Sequence, residues 1–109
     1  MSRYFLGIFT AAAMLAAAVG QAADLKAAKE KVDQVCQACH GTDGNSQVPD
    51  YPKLAGQNQD YLAKALRDYK SGARKDPTMN GFAGTLTTQD IDNLAAYYSS
   101  QPAVLQSRM

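Results

Sequence analysis

Polar and apolar positions along the chain alternate in three helical patterns, set behind an apolar leader and separated by two stretches rich in Gly and Pro. In the first pattern, 24–39, Ala28, Val32, Val35, Cys36 and Cys39 recur on one face, and Lys26, Lys29, Glu30, Lys31 and Asp33 take the other. That is the period of an amphipathic helix. Gly41 and Gly44 break it, and 42–57, with Pro49, Pro52 and Gly56, shows no period and is predicted to be a long loop. A second helix is predicted to start at Asn58 as N-cap with Asp60 in its first turn. It presents Tyr61, Leu62, Ala65, Leu66 and Tyr69 on one face and Lys64, Arg67 and Lys70 on the other, and it ends at Gly72. A second loop is predicted over 73–86, with Pro77, Met79, Gly81 and Gly84.

The last helix has the clearest start signals. Thr87 as N-cap with Asp90 three residues on approximates a capping box, and Leu86 is placed to staple onto Ile91. Ile91, Leu94, Ala95 and Tyr98 form its apolar stripe with Tyr97 at the edge, and Pro102 stops it. Small Ala28 on the first helix predicts a close crossing with Leu94, Ala95, Tyr97 and Tyr98 of the last. No strand-like alternation competes, so the predicted fold class is all-α, with three main helices and two long loops.

The leader changes the picture of the domain. Arg3 is the only charge before Asp24, Phe5 to Val19 is apolar, and Gly20 and Ala22 are small residues three positions and one position before a cleavage point. This is the anatomy of a secretory signal peptide over 1–22, cleaved on export to the periplasm. The apolar run of about 15 residues is short for a membrane span, which needs roughly 20. One domain, 23–109, then remains. Of the eleven Lys and Arg only Arg3 falls in the leader, which leaves ten against ten Asp and Glu. A balance so near neutral implies neither a nucleic-acid footprint nor a trap for acidic substrates. With no Trp and few large aliphatics, so short a chain has a thin core of its own.

The candidate chemistry is concentrated in Cys36-Gln37-Ala38-Cys39-His40, which holds both cysteines and the only histidine of the chain. In an exported protein Cys-x-x-Cys-His marks covalent haem c attachment. Two thiols on the last turn of a helix reach the two vinyl groups on one porphyrin edge, and the adjoining histidine is carried under the iron as an axial ligand. Other chemistries fit less well. A thioredoxin-like redox pair needs a βαβ setting, a zinc knuckle needs four ligands, and a disulfide between residues so close is strained and leaves His40 unexplained. Met1 and Met14 lie in the leader and Met109 at the C-terminus, so Met79 in the second loop is, by elimination, the candidate sixth ligand. A gap-filling core methionine is its ordinary alternative.

These motifs carry a resemblance. CQACHGTDGN (36–45), PKLAGQ (52–57), YLAKALRDYKSGAR (61–74), DPTM (76–79) and LAAY (94–97) are similar, in the same order, to class I cytochromes c, in particular to small bacterial periplasmic cytochromes c553 and to one half of a dihaem cytochrome c4. The resemblance implies the small cytochrome c fold wrapped around one haem c, bound through Cys36 and Cys39 with His40 and Met79 as axial ligands. It also implies that the Pro52 carbonyl accepts a hydrogen bond from the His40 ring. A second Cys-x-x-Cys-His, which cytochrome c4 has, is lacking here. The function implied is one-electron transfer rather than enzymatic turnover, between redox partners such as a quinol-oxidising complex or dehydrogenase and a terminal oxidase or reductase. A haem subunit of a larger oxidoreductase complex is the alternative, with a haem gas sensor or peroxidase behind it.

Such a haem site has a defined geometry. His40 Nε2 and Met79 Sδ are expected to face each other across a slot one haem thick, with His40 Nδ1 at roughly 3 Å from the Pro52 carbonyl. Val35, Leu54, Tyr61, Leu66, Phe82 and Leu94 are expected to line the slot. Docking on partners is expected to be small in area and weakly steered, with Lys64, Arg67, Lys70, Arg74 and Lys75 as the basic contributors.

Overall fold

In the computed structural model, residues 22–104 are described. The signal peptide expected over 1–22 thus lies outside the described residues except for Ala22, as do Met1, Met14 and Met109. Every regular element among the described residues is helical. Helix α1 (Leu25–Lys31) runs through a π-helical turn, Val32–Cys36, into the short α2 (Gln37–His40), and is followed by α3 (Gln59–Ser71), α4 (Pro77–Gly84) and α5 (Thr88–Ser99). Helices α1 and α3 both pack on α5, and α4 packs on α3.

The helix starts are those that the side chains dictate. Asp24 Oδ1 accepts from Ala27 N at 3.0 Å, and Asn58 Oδ1 accepts from Tyr61 N at 3.0 Å. Thr87 and Asp90 form a full capping box, at 3.0 and 2.9 Å. Gly72 ends α3 with φ 85°, the left-handed conformation that glycine adopts without a Cβ penalty.

Two expectations are corrected. The first helix is not uniformly α-helical, because the N–H of Gln37 bonds back to Val32 O across the π turn. Val35 and Cys36 of this turn both line the cavity described below. The second correction concerns 73–86, which is not a loop throughout: α4 occupies 77–84. Asp76 as N-cap with Pro77 in the first turn is a start signal, and it prevails over the two glycines further along.

The core is Ala-rich where helices cross. Ala28 and Val32 of α1 and its π turn pack with Ile91, Leu94 and Ala95 of α5, all nearly inaccessible. Tyr97 and Tyr98 cover this crossing with rings edge-to-face at 5.3 Å, and their hydroxyls donate to Thr42 O at 2.8 Å and Gly41 O at 3.3 Å. The last helix thereby holds the chain immediately after His40. Buried Asn93 adds a second tie, accepting from Asp24 N at 2.8 Å and from Gln89 Nε2 at 2.7 Å.

The glycines separate into strained and open sites. Gly44 sits at φ 79°, and a Cβ there would lie 2.7 Å from both Ala55 N and Tyr98 Cδ1. Its carbonyl accepts from Leu54 N and Ala55 N, so this backbone cannot shift freely. Gly81, inside α4, has nothing within 4 Å. Gly44→Ala is therefore expected to destabilise the protein by about 3 kcal/mol, whereas Gly81→Ala should stabilise it by about 0.5–1 kcal/mol. Chemical denaturation of the two variants checks the opposite signs.

Candidate haem site

Beside the α1/α5 crossing, with Leu94 and Tyr98 of α5 in its lining, lies a cavity of about 380 Å³. Cys36, Cys39 and His40 form one wall, Pro52 and Leu54 of the 42–57 loop extend it, and α3 and α4 supply the facing walls. All six residues expected to line a slot, Val35, Leu54, Tyr61, Leu66, Phe82 and Leu94, line this cavity. Tyr61 and Phe82 keep about half of their surface accessible, at 50% and 47%. The apolar stripe read on α3, Tyr61, Leu62, Ala65, Leu66 and Tyr69, lines this space, and Leu62 of that stripe together with Ala63 is buried in the core.

His40 is buried, and its Nδ1 lies 2.9 Å from the Pro52 carbonyl oxygen. A carbonyl can only accept, so this bond places the proton on Nδ1 and leaves Nε2 as the ring's free lone pair. The loop that carries Pro52 is held in turn by Ser46, whose hydroxyl lies 3.3 Å from Cys39 O and 2.9 Å from Val48 O. Buried Asn45 fastens the same loop to the C-terminal segment, donating to Pro102 O at 2.9 Å and accepting from Val104 N at 2.8 Å.

Both thiols are free. Burial pushes the Cys36 thiol above its ordinary value, against a smaller opposing effect of its hydrogen bond with Tyr98. Burial likewise raises the Tyr98 phenol. Tyr51 packs edge-on to His40 at 6.4 Å between ring centroids, and a hydrogen bond with Cys39 raises its phenol.

Met79 is half-buried and faces the same cavity from α4, together with Phe82 and Ala83. The cavity therefore brings together two thiols, an imidazole with its Nε2 free, a thioether and apolar rings. This donor set fits a haem c: thiols for the porphyrin edge, nitrogen and soft sulfur for the iron.

The comparisons with known proteins agree with the geometry. The family described as cytochrome c oxidase, cbb3-type, subunit III matches residues 23–97. Cytochrome c-554(548) of Halomonas halodenitrificans is 43% identical over 83 residues, which cover 73% of this chain and 99% of that protein. The chain belongs to the class I c-type cytochromes. Cytochrome c4 of Thiocapsa roseopersicina is 48% identical to this cytochrome over 86 residues, 79% of this chain but 44% of that one. The crystal structure of reduced recombinant cytochrome c4 from Pseudomonas stutzeri superposes with a TM-score of 0.71 at 45% identity, covering 77% of this chain and 48% of that one. The chain thus spans less than half the length of the cytochrome c4 relatives it matches.

Not every residue singled out in the sequence belongs to the site or to a free basic face. Lys70 Nζ donates to the carbonyls of Gly84 and Leu86, so it fastens the α4–α5 turn. The Arg74 guanidinium stacks 4.8 Å over the Tyr69 ring and donates to Tyr61 Oη at 3.4 Å, a bond that raises its pKa. Lys64 pairs with Asp68, and Arg67 lies 4.0 Å from Asp92. The buried polar groups Asn45, in the loop after α2, and Asn93, in the middle of α5, hold the frame of the site and carried no signal in the helical pattern.

Proposed function

We propose that this protein is a periplasmic one-electron carrier with a single covalently attached haem c, ligated by His40 and Met79, and that it shuttles electrons between respiratory-chain components. The observation that carries this reading is the convergence of Cys36, Cys39, His40 and Met79 on one apolar cavity. The likeness to cytochromes c4 and c-554(548) supports it. A haem held there supplies reversible one-electron exchange at its iron.

The chain's own residues do the rest. Cys36 and Cys39 anchor the group through thioethers, and His40 presents Nε2 in a fixed orientation because Nδ1 is committed to Pro52. A thioether from Met79 favours the ferrous state relative to a second imidazole. With His40 and Met79 both holding the iron, no place would be left for oxygen or peroxide, which would separate the carrier from a gas sensor or peroxidase. Residues 1–22 direct the chain to the compartment where attachment occurs, and 23–109 form the working domain. Among the described residues no helix is long and apolar enough to cross a membrane.

Visible spectroscopy of the purified protein tests this. The expected results are a haem that resists acid-acetone extraction, a reduced-minus-oxidised c-type spectrum, and ferrous protein indifferent to carbon monoxide at neutral pH. Carbon monoxide binding by the ferrous wild type would overturn the carrier reading. A second reading, a resident haem subunit of an oxidoreductase complex, is favoured by one observation: the matched family is described as an oxidase subunit. Native mass analysis of a periplasmic fraction separates the two, since a carrier runs at the mass of the free domain.

A further inference from the structure

Helix α4 is poorly equipped to stand by itself. It has eight residues, two of them glycine, and isolated helices shorter than about 12 residues are marginal in water. Gly81 alone costs about 1 kcal/mol relative to Ala. Yet α4 carries Met79, whose flexible side chain with three rotatable bonds must hold its sulfur in one place. Something other than helix propensity has to fix this segment.

The neighbouring side chain does so. Asn80 Nδ2 donates to Tyr69 O and to Arg74 O, both at 2.8 Å, and Asn80 Oδ1 accepts from Asp76 N at 2.9 Å. The amide thereby joins three points: the last turn of α3, the chain after Gly72, and the N-cap of α4. The backbone completes the arrangement, with Asn80 N donating to Asp76 O at 2.7 Å and Asp76 Oδ1 accepting from Met79 N at 3.0 Å. Met79 sits between these interlocked residues while its side chain faces the cavity. No apolar or shorter polar side chain reproduces two donors and one acceptor at that point.

We propose that Asn80 is the positioning residue for the Met79 thioether: by clamping the start of α4 to the end of α3, it keeps the sulfur seated. This rests on Met79 being the sixth ligand. When the clamp is lost, α4 is expected to swing more readily about its N-terminus, so that the sulfur leaves its place more often without the domain unfolding. Asn80 itself does not line the cavity, although its partners Tyr69, Arg74 and Asp76 do, so the effect is transmitted through backbone position and not by contact of the amide with the iron.

The test uses holoprotein of Asn80→Ala and Asn80→Asp, the latter keeping the shape and the acceptor but losing both donors. Thr87→Ala serves as a control that weakens the fold at α5, and Met79→Ala as the limit without sulfur. Four quantities are read: thermal midpoint, amide exchange at Met79 and Asn80, midpoint potential, and carbon monoxide binding to the ferrous form. The expected result is faster exchange, a more negative potential, and about a tenfold rise in the sulfur-dissociated fraction read by carbon monoxide, the factor that one net hydrogen bond supplies. Thr87→Ala should lower the thermal midpoint and leave potential and carbon monoxide binding unchanged. If Asn80→Ala does not accumulate, Asn80→Asp gives the same readout. Asn80 variants that lose thermal stability while potential and carbon monoxide binding stay at wild-type values would overturn the proposal and leave Asn80 a structural residue. If Met79→Ala itself changes neither quantity, the ligation reading fails first, and that outcome is distinct from failure of the clamp.

Discussion

Replacing Met79 by Ala should lower the midpoint potential of the holoprotein by more than about 100 mV and open the ferrous form to carbon monoxide at neutral pH. Axial ligation accounts for much of a spread of about 0.8 V among haem proteins, and a thioether sits toward its positive end. Two features of the chain make the loss hard to compensate. The other methionines, Met1, Met14 and Met109, fall in the leader and at the C-terminus. His40, the only histidine, is already engaged as the proposed nitrogen ligand, its Nδ1 held by Pro52. The fold itself should tolerate the change, because Met79 is only half-buried and α4 retains its cap and its ties to α3. Potentiometric titration and carbon monoxide difference spectra check the result. An unchanged potential with unchanged indifference to carbon monoxide would move the sixth ligand elsewhere.

Much of this architecture was legible from spacing and caps. The three main helices start at Asp24, Asn58 and Thr87, as their side chains predict, because capping is a local interaction between a residue and the backbone two or three positions on. The Ala28 crossing was legible for a related reason: a small residue in a buried stripe leaves few ways to fill the space. Helix α4 was not legible, since Pro77, Gly81 and Gly84 weigh as breakers in a local count. What holds that helix is the Asn80 amide and Lys70, reaching residues 11 and 16 positions away in the chain. The π turn was hidden too, because Val32, Val35 and Cys36 suit an α-helix as well.

The site itself divides in the same way. Its chemistry-bearing residues were exposed by scarcity, one histidine and two cysteines in a fixed spacing. Its frame was not, because Asn45, Ser46, Tyr97 and Tyr98 act through carbonyls whose positions depend on the completed fold. The basic residues show the converse error. Lys70 and Arg74 resemble a free basic face in the sequence, yet one caps carbonyls and the other stacks on Tyr69.

The largest loss is expected from the double change Cys36→Ser and Cys39→Ser, which should abolish acid-resistant haem altogether. Attachment forms a carbon–sulfur bond when each thiol adds across a vinyl group, the thiol hydrogen ending on the neighbouring vinyl carbon. A serine hydroxyl is too weak a nucleophile to substitute. The consequence should extend beyond the pigment. The α1/α5 crossing, closed by Val32, Ile91 and the alanines, belongs to one core cluster with Leu62, Ala83, Leu86, Leu94 and Tyr98, which also line the haem site. That site encloses about 380 Å³ lined by the Cys-x-x-Cys-His segment and α4 among others, with Tyr61 and Phe82 half accessible. A domain of this size has little apolar area to spare, so a chain that cannot retain the plate between those walls should lose its cooperative unfolding transition as well. Haem staining after denaturing electrophoresis and a far-UV circular dichroism melt read the two effects separately. A double variant with wild-type yield, acid-resistant haem and an unchanged melt would mean that the attachment lies elsewhere. The cavity would then need another occupant, because neither a disulfide nor a redox dithiol between Cys36 and Cys39 accounts for a buried imidazole whose Nε2 is kept free by Pro52.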